Sequence, residues 1–170
     1  MEKWTRARFQ PTLPMGENGE RLTGSKRHIA LSKAAAKEGM VLLKNEGGIL
    51  PLKKGTKVAL FGKATFDYVK GGGGSGDVTV AYIRNLYEGL KLQGDAEIFE
   101  PLCEYYRRDV ERQYTAGNAP GMTIEPAVPG ELLAQAKAWT DTAVISICRF
   151  SGEGWDRKSV IDDENKNLCD

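Results

Sequence analysis

Apolar positions recur with a helical period along residues 25–45. In "SKRHIALSKAAAKEGMVLLKN" Ile29, Ala36, Met40 and Leu43 share one face, and Ser25 stands where an N-cap belongs, which predicts a helix from Ser25 to about Asn45. The turn-rich "GGILPLKKG" leads into "KVALFG", a short apolar run before a glycine that reads as a buried strand over 57–61. After "KGGGGSGDV" (Lys70–Val78) the helical period returns in "TVAYIRNLYEGLKLQG", with Val80, Ile83, Leu86 and Leu90 on one side and Gly94 as the stop. "AEIFEPL" gives a weaker strand near 95–99, "CEYYRRDVERQYTAG" a helix, and "NAPGMTIEPAVPG" an irregular loop. "PGELLAQAKAW" is the next helix, with Pro129 suited to its first turn, and "TAVISIC" is a second strongly apolar strand near 142–148.

Strands alternating with helices predict an α/β fold: right-handed crossovers and a parallel sheet covered on both faces, a three-layer sandwich. Residues 1–24 mix charge, Gly and Pro without periodicity and read as an extended N-terminal arm, with the α/β-sandwich domain over 25–170. In open parallel sheets ligands bind outside the carboxyl ends of the strands, where strand order reverses. The glycine-bearing loops 62–78 and 149–160 both leave such ends. A flavodoxin-like order, 2-1-3, makes them neighbours over one crevice.

Composition narrows the choice of partner. The 170 residues fit one domain, and 41% hydrophobic with 28% charged residues is ordinary for a globular protein. A net charge of +1 gives no electrostatic reason to expect nucleic acid or an anionic membrane surface, and no apolar run is long enough to span a bilayer. The first residues lack a signal-peptide pattern, and Cys103, Cys148 and Cys169 are far apart without metal-ligand spacing, which together predict free thiols in a reducing cytoplasm. His28 is the only histidine, so a histidine-based triad and a multi-histidine metal site are excluded.

Two loops carry candidate chemistry. "GGGGSG" follows a strand and precedes a helix, as a phosphate cradle does, but it lacks the Gly-Lys-Ser/Thr ending of a P-loop and places Asp77 where phosphate would sit. No cofactor is expected there, and a plain reversal of direction needs no four glycines. In "RFSGEGWDR" Glu153 stands between Gly152 and Gly154, with Arg149, Asp156 and Arg157 nearby in sequence and Trp155 offering an apolar, sugar-stacking face. A carboxyl group partly desolvated beside an aromatic has its pKa raised, which suits a general acid. On these residues alone, a solvated glutamate in a turn is the simpler reading.

Three motifs taken together change that balance. "AAAKEGMVLLKNEGGILPLKKGTKVALFG", "KGGGGSGDV" and "ISICRFSGEGWDR", in this order over roughly residues 25–160, resemble the α/β-sandwich domain of glycoside hydrolase family 3, the β-glucosidase and β-xylosidase family. The resemblance implies hydrolysis of β-linked glucosides or xylosides by a retaining mechanism, with an aspartate nucleophile on a (β/α)8 barrel and the acid/base glutamate on the sandwich domain. By motif, Glu153 corresponds to the acid/base. Ser75, flanked by Gly74 and Gly76, corresponds to a loop position that reaches the sugar, and Trp155 to a residue that stacks on the leaving-group side or packs on its own domain.

This sequence departs from the family pattern in two respects. No barrel precedes residue 25 and no segment resembles the nucleophile motif; some family members place the sandwich before the barrel. The chain also ends soon after the glutamate loop, where family sandwiches continue, so the expectation is the first part of a domain, without turnover by itself and open to self-association through an exposed sheet edge. The alternative is a non-catalytic carbohydrate- or partner-binding α/β module. A nucleotide-binding domain is the third reading.

Overall fold

The computed structural model describes residues 24–71, 74, 80 and 82–154; Ser75, Gly76, Trp155 and all but the last residue of the expected arm lie outside them. The chain divides into two compact units, Met1–Ile49 and Leu50–Asp170.

In the first unit, α1 (Lys26–Glu38) starts where Ser25 caps it: the Ser25 hydroxyl accepts a hydrogen bond from the His28 backbone N–H at 3.3 Å. The helix ends at Glu38, capped by Gly39 and seven residues short of the expected Asn45. Glycine has the highest entropy cost of any non-proline residue in a helix, so the turn carrying Gly39 is the weakest place to continue it. The apolar periodicity beyond it does not become a buried face, and Met40 and Leu43 are 74% and 91% exposed.

Among the described residues, the second unit is built on three parallel strands, β1 (Thr56–Phe61), β2 (Ala96–Ile98) and β3 (Ala143–Ile145), in the order β2-β1-β3. This is the expected 2-1-3 arrangement. β1 pairs through its first half with β2 (Thr56 opposite Ala96) and through its second half with β3 (Phe61 opposite Ile145). The strands are shorter than the apolar runs that predicted β2 and β3.

Alternation along β1 divides the core between two faces. Ala59 packs with Phe99 and with Leu102 and Tyr106 of α3 (Glu100–Thr115) and Ala136 of α4 (Gly130–Trp139). Val58 and Leu60 point the other way, against Tyr87 and Leu90 of α2 (Leu86–Gln93), with Ile98 and Cys103. The sheet is therefore sandwiched between α2 on one face and α4 on the other, with α3 contributing to both clusters, Leu102 and Tyr106 to the first and Cys103 to the second. Burial pushes the Cys103 thiol up to about 12, leaving it an apolar core group.

α2 begins later than the apolar periodicity predicts. Asn85 and Glu88 form a reciprocal capping box, the Asn85 side chain accepting from the Glu88 N–H at 2.8 Å and Glu88 reaching back to the Asn85 N–H at 3.4 Å. Once Asn85 takes the non-helical cap conformation the helix cannot extend backward, so Val80 and Ile83 remain outside it and exposed. Gly94 closes the helix in the left-handed conformation, as its position predicts.

β3 forms one edge of the sheet; Ile145 at its end and Ile147 two residues beyond it are 70% and 72% exposed.

Candidate active site

The chain leaves β1, crosses to β2 on one side, and returns past β1 to β3 on the other, so strand order reverses between β1 and β3. Loops leaving the carboxyl ends of these two strands must flank the same crevice. They diverge from a tight start: Ser146 N–H donates to the Phe61 carbonyl at 2.8 Å, and the Thr65 hydroxyl reaches Ser146 Oγ at 3.3 Å. Gly62 has φ +94°, and any Cβ there would run into the Ser146 carbonyl. Only glycine lets the chain turn out of β1 this close to its neighbour.

Further out the two loops meet again. Gly74, with φ +66°, lies directly against the Glu153 side chain: a Cβ on Gly74 would sit 2.9 Å from Glu153 Cβ and 3.0 Å from its carboxyl carbon, and would overlap Oε2. Glu153 is exposed, in a turn that Gly154 completes at φ +86°. The structure thus brings together two residues 79 positions apart that the motifs singled out separately. Ser75, Gly76 and Trp155 adjoin this contact in sequence but lie outside the described residues.

A third loop, residues 117–126, joins the first two; the sequence predicts it as irregular and carries no motif that places it at the site. It is held by a buried polar network centred on Asp67, 1% exposed, in the loop after β1. Asp67 Oδ1 accepts hydrogen bonds from the Tyr114 hydroxyl and the Gly121 backbone N–H, both at 2.6 Å; Oδ2 accepts from the Thr123 hydroxyl and lies 3.6 Å from Lys63 Nζ. Lys63 Nζ in turn donates to the Thr123 carbonyl. Burial alone would raise the Asp67 pKa, but the hydrogen bonds from Thr123, Tyr114 and Gly121, with Lys63 beside it, outweigh burial and hold it below its ordinary value.

Gln113, also buried, fastens the same loop to α3 by accepting from the Ile124 N–H at 2.7 Å and donating to the Ile124 carbonyl at 2.8 Å. The Tyr106 phenol is pushed up to about 12 chiefly by burial, and the Glu125 carboxylate, which raises it further, accepts from the Lys63 N–H at 2.9 Å. The sequence signal for this network was faint. Asp67 sits in "KATFDYV", which carries no motif, and its partners come from three segments up to 56 residues away.

Gly121 completes the arrangement. At φ +81° it sits between Val69 and Phe150, its would-be Cβ 2.5 Å from Val69 Cγ2 and 3.2 Å from Phe150 Cδ1. Among the described residues no cluster of His, Cys, Asp and Glu could hold a metal ion. Among the described residues, Glu153 presents an exposed carboxyl group on glycine-flanked backbone at the carboxyl edge of the sheet, while the Asp67 and Glu125 carboxylates are engaged in holding the loops.

Known proteins share both the sequence and the fold. The profile of the glycosyl hydrolase family 3 C-terminal domain matches residues 40–169. Beta-glucosidase A of Butyrivibrio fibrisolvens is 62% identical over 159 residues, which are 93% of this chain and 19% of that protein. Beta-glucosidase 3B of Thermotoga neapolitana, solved in complex with α-D-glucose, superposes with a TM-score of 0.69 at 34% identity, covering 84% of this chain and 21% of that one. A β-glucosidase from Paenibacillus barengoltzii gives the same TM-score at 32% identity, covering 78% of this chain and 15% of its own. The chain spans about a fifth or less of the length of these relatives. A profile match over most of the chain, high identity to a β-glucosidase and the three-layer fold with its paired loops agree: this chain belongs to the glycosyl hydrolase family 3 C-terminal domain family.

Proposed function

We propose that this domain supplies the acid/base carboxyl group, Glu153, to a retaining β-glucosidase. The observation that carries the reading is the contact between Glu153 and Gly74, which unites the family's two sandwich-domain motifs at the switch point of the sheet. Retaining hydrolysis needs a second carboxylate about 5–5.5 Å away as nucleophile. The relatives' much greater length leaves room for a (β/α)8 barrel bearing an aspartate in that role.

In this reading the aspartate attacks the anomeric carbon while Glu153 gives its proton to the departing glycosidic oxygen. Water then attacks the same carbon, Glu153 takes a proton from it, and the glycosyl–aspartate bond breaks. Ser75 on its glycine-flanked loop, with Gly74 and Gly76, offers small polar and backbone groups to the sugar, and Trp155 a stacking face. The relatives are β-glucosidases, which favours β-glucosides over β-xylosides. Free thiols at Cys103 and Cys148 fit a reducing, cytoplasmic setting.

The test exchanges this chain for the matching segment of the Butyrivibrio β-glucosidase. The hybrid should hydrolyse aryl β-glucosides, and Glu153→Gln should slow substrates with poor leaving groups by about 10²–10⁴ while sparing activated ones in the first step. A Glu153→Gln hybrid with an unchanged leaving-group profile excludes the assignment and favours a non-catalytic binding module.

A further inference from the structure

The contacts around Glu153 form a closed circuit. Asp67, in the loop after β1, holds the Gly121 N–H at 2.6 Å. Gly121 is lodged between Val69 of the β1 loop and Phe150 of the β3 loop. Phe150 precedes Glu153 by three residues, and Glu153 lies back on Gly74 of the β1 loop. The circuit starts and ends on the same loop, and its one charged, fully buried anchor is Asp67.

We propose that Asp67 is a positioning residue for Glu153, acting through Gly121 and Phe150. The inference rests on the reading of Glu153 as acid/base. Four groups from three segments converge on one carboxylate, so the 117–126 loop cannot shift without breaking hydrogen bonds to a buried charge. That loop fills the space between the two catalytic-side loops at Gly121, where even a methyl group would collide. Loosening Asp67 therefore frees Phe150 and lets the Glu153 carboxyl drift from the glycosidic oxygen, and displacement of about 1 Å can cost about 10²-fold in rate.

A positioning role and a merely structural one differ in which substrates suffer. Glu153 matters most where the leaving group must be protonated, so the defect should appear selectively there. In the hybrid enzyme, Asp67→Asn should lower kcat/KM for cellobiose at least about 10-fold more than for 2,4-dinitrophenyl β-glucoside. Tyr114→Phe, which deletes one hydrogen bond and keeps the ring, should tilt the same ratio in the same direction by less, and it carries the test where Asp67→Asn fails to fold. Equal loss on both substrates in these variants, with Glu153→Gln keeping its leaving-group signature, overturns the positioning role alone. Absence of that signature in Glu153→Gln overturns the acid/base reading, and the positioning role with it.

Discussion

The Glu153 side chain rests on the bare Cα of Gly74, close enough that a methyl group at position 74 would lie 3.0 Å from the carboxyl carbon and overlap an oxygen. A glycine in this place does two things at once: it accepts the left-handed φ of +66° and it removes the side chain that would displace the carboxylate.

Alanine at Gly74 and at Gly62 should separate these two uses of glycine. Gly62→Ala would push against the Ser146 backbone carbonyl beside the β1–β3 pairing, which has no flexible end to give way. We expect it to destabilise the domain by about 3 kcal/mol, measured by urea unfolding. Gly74→Ala meets a side chain that can move, so its stability cost should stay near about 1–2 kcal/mol, while activity of the hybrid on poor leaving groups falls sharply. Equal stability losses, with leaving-group dependence unaltered in Gly74→Ala, would show that neither glycine is read correctly.

Acid should weaken the Asp67 network in a defined window. Hydrogen bonds from Thr123, Tyr114 and Gly121, with Lys63 nearby, hold the folded pKa below the ordinary aspartate value of about 3.9. A depressed folded pKa contributes stability that is fully present above about pH 4 and is lost as pH falls through the lower folded value. Wild type should therefore exceed Asp67→Asn by about 1–3 kcal/mol at pH 6, and the gap should narrow as pH falls below the ordinary aspartate range, followed by urea titrations at each pH. A gap independent of pH would mean that Asp67 is not held ionised by its partners.

The β3 edge predicts association of the isolated 170-residue chain. Ile145 on the edge strand and Ile147 just beyond it are largely exposed, and an exposed apolar edge strand is the arrangement that templates pairing with another chain. Sedimentation should show concentration-dependent association that Ile145→Lys reduces. A monomer at every concentration contradicts it.

The parallel sheet was legible in the sequence because apolar runs ending in glycine alternate with helices; the order 2-1-3, and with it the meeting of the two glycine-bearing loops, came from a flavodoxin-like arrangement that the structure bears out. Helix ends were less legible. Periodicity carried the expected helices to Asn45 and back past Ile83, but Gly39 stops one and the Asn85–Glu88 capping box starts the other, and in both places a local backbone effect overrides the apolar spacing. The Asp67 network was not legible at all. Aspartate, lysine, threonine and tyrosine in unremarkable loops become a site only when folding brings residues 63, 67, 114, 121 and 123 together.

The role of Glu153 is tested most directly by chemical rescue. In the hybrid, Glu153→Ala acting on 2,4-dinitrophenyl β-glucoside should form the glycosyl-enzyme without needing an acid and then stall, because water lacks its base. Azide needs no deprotonation, so it should restore turnover and yield β-glucosyl azide, the configuration that two successive inversions give. Rescue with that product is the predicted result. No azide acceleration, with turnover equal to that of the unsubstituted hybrid, would contradict Glu153 as the acid/base.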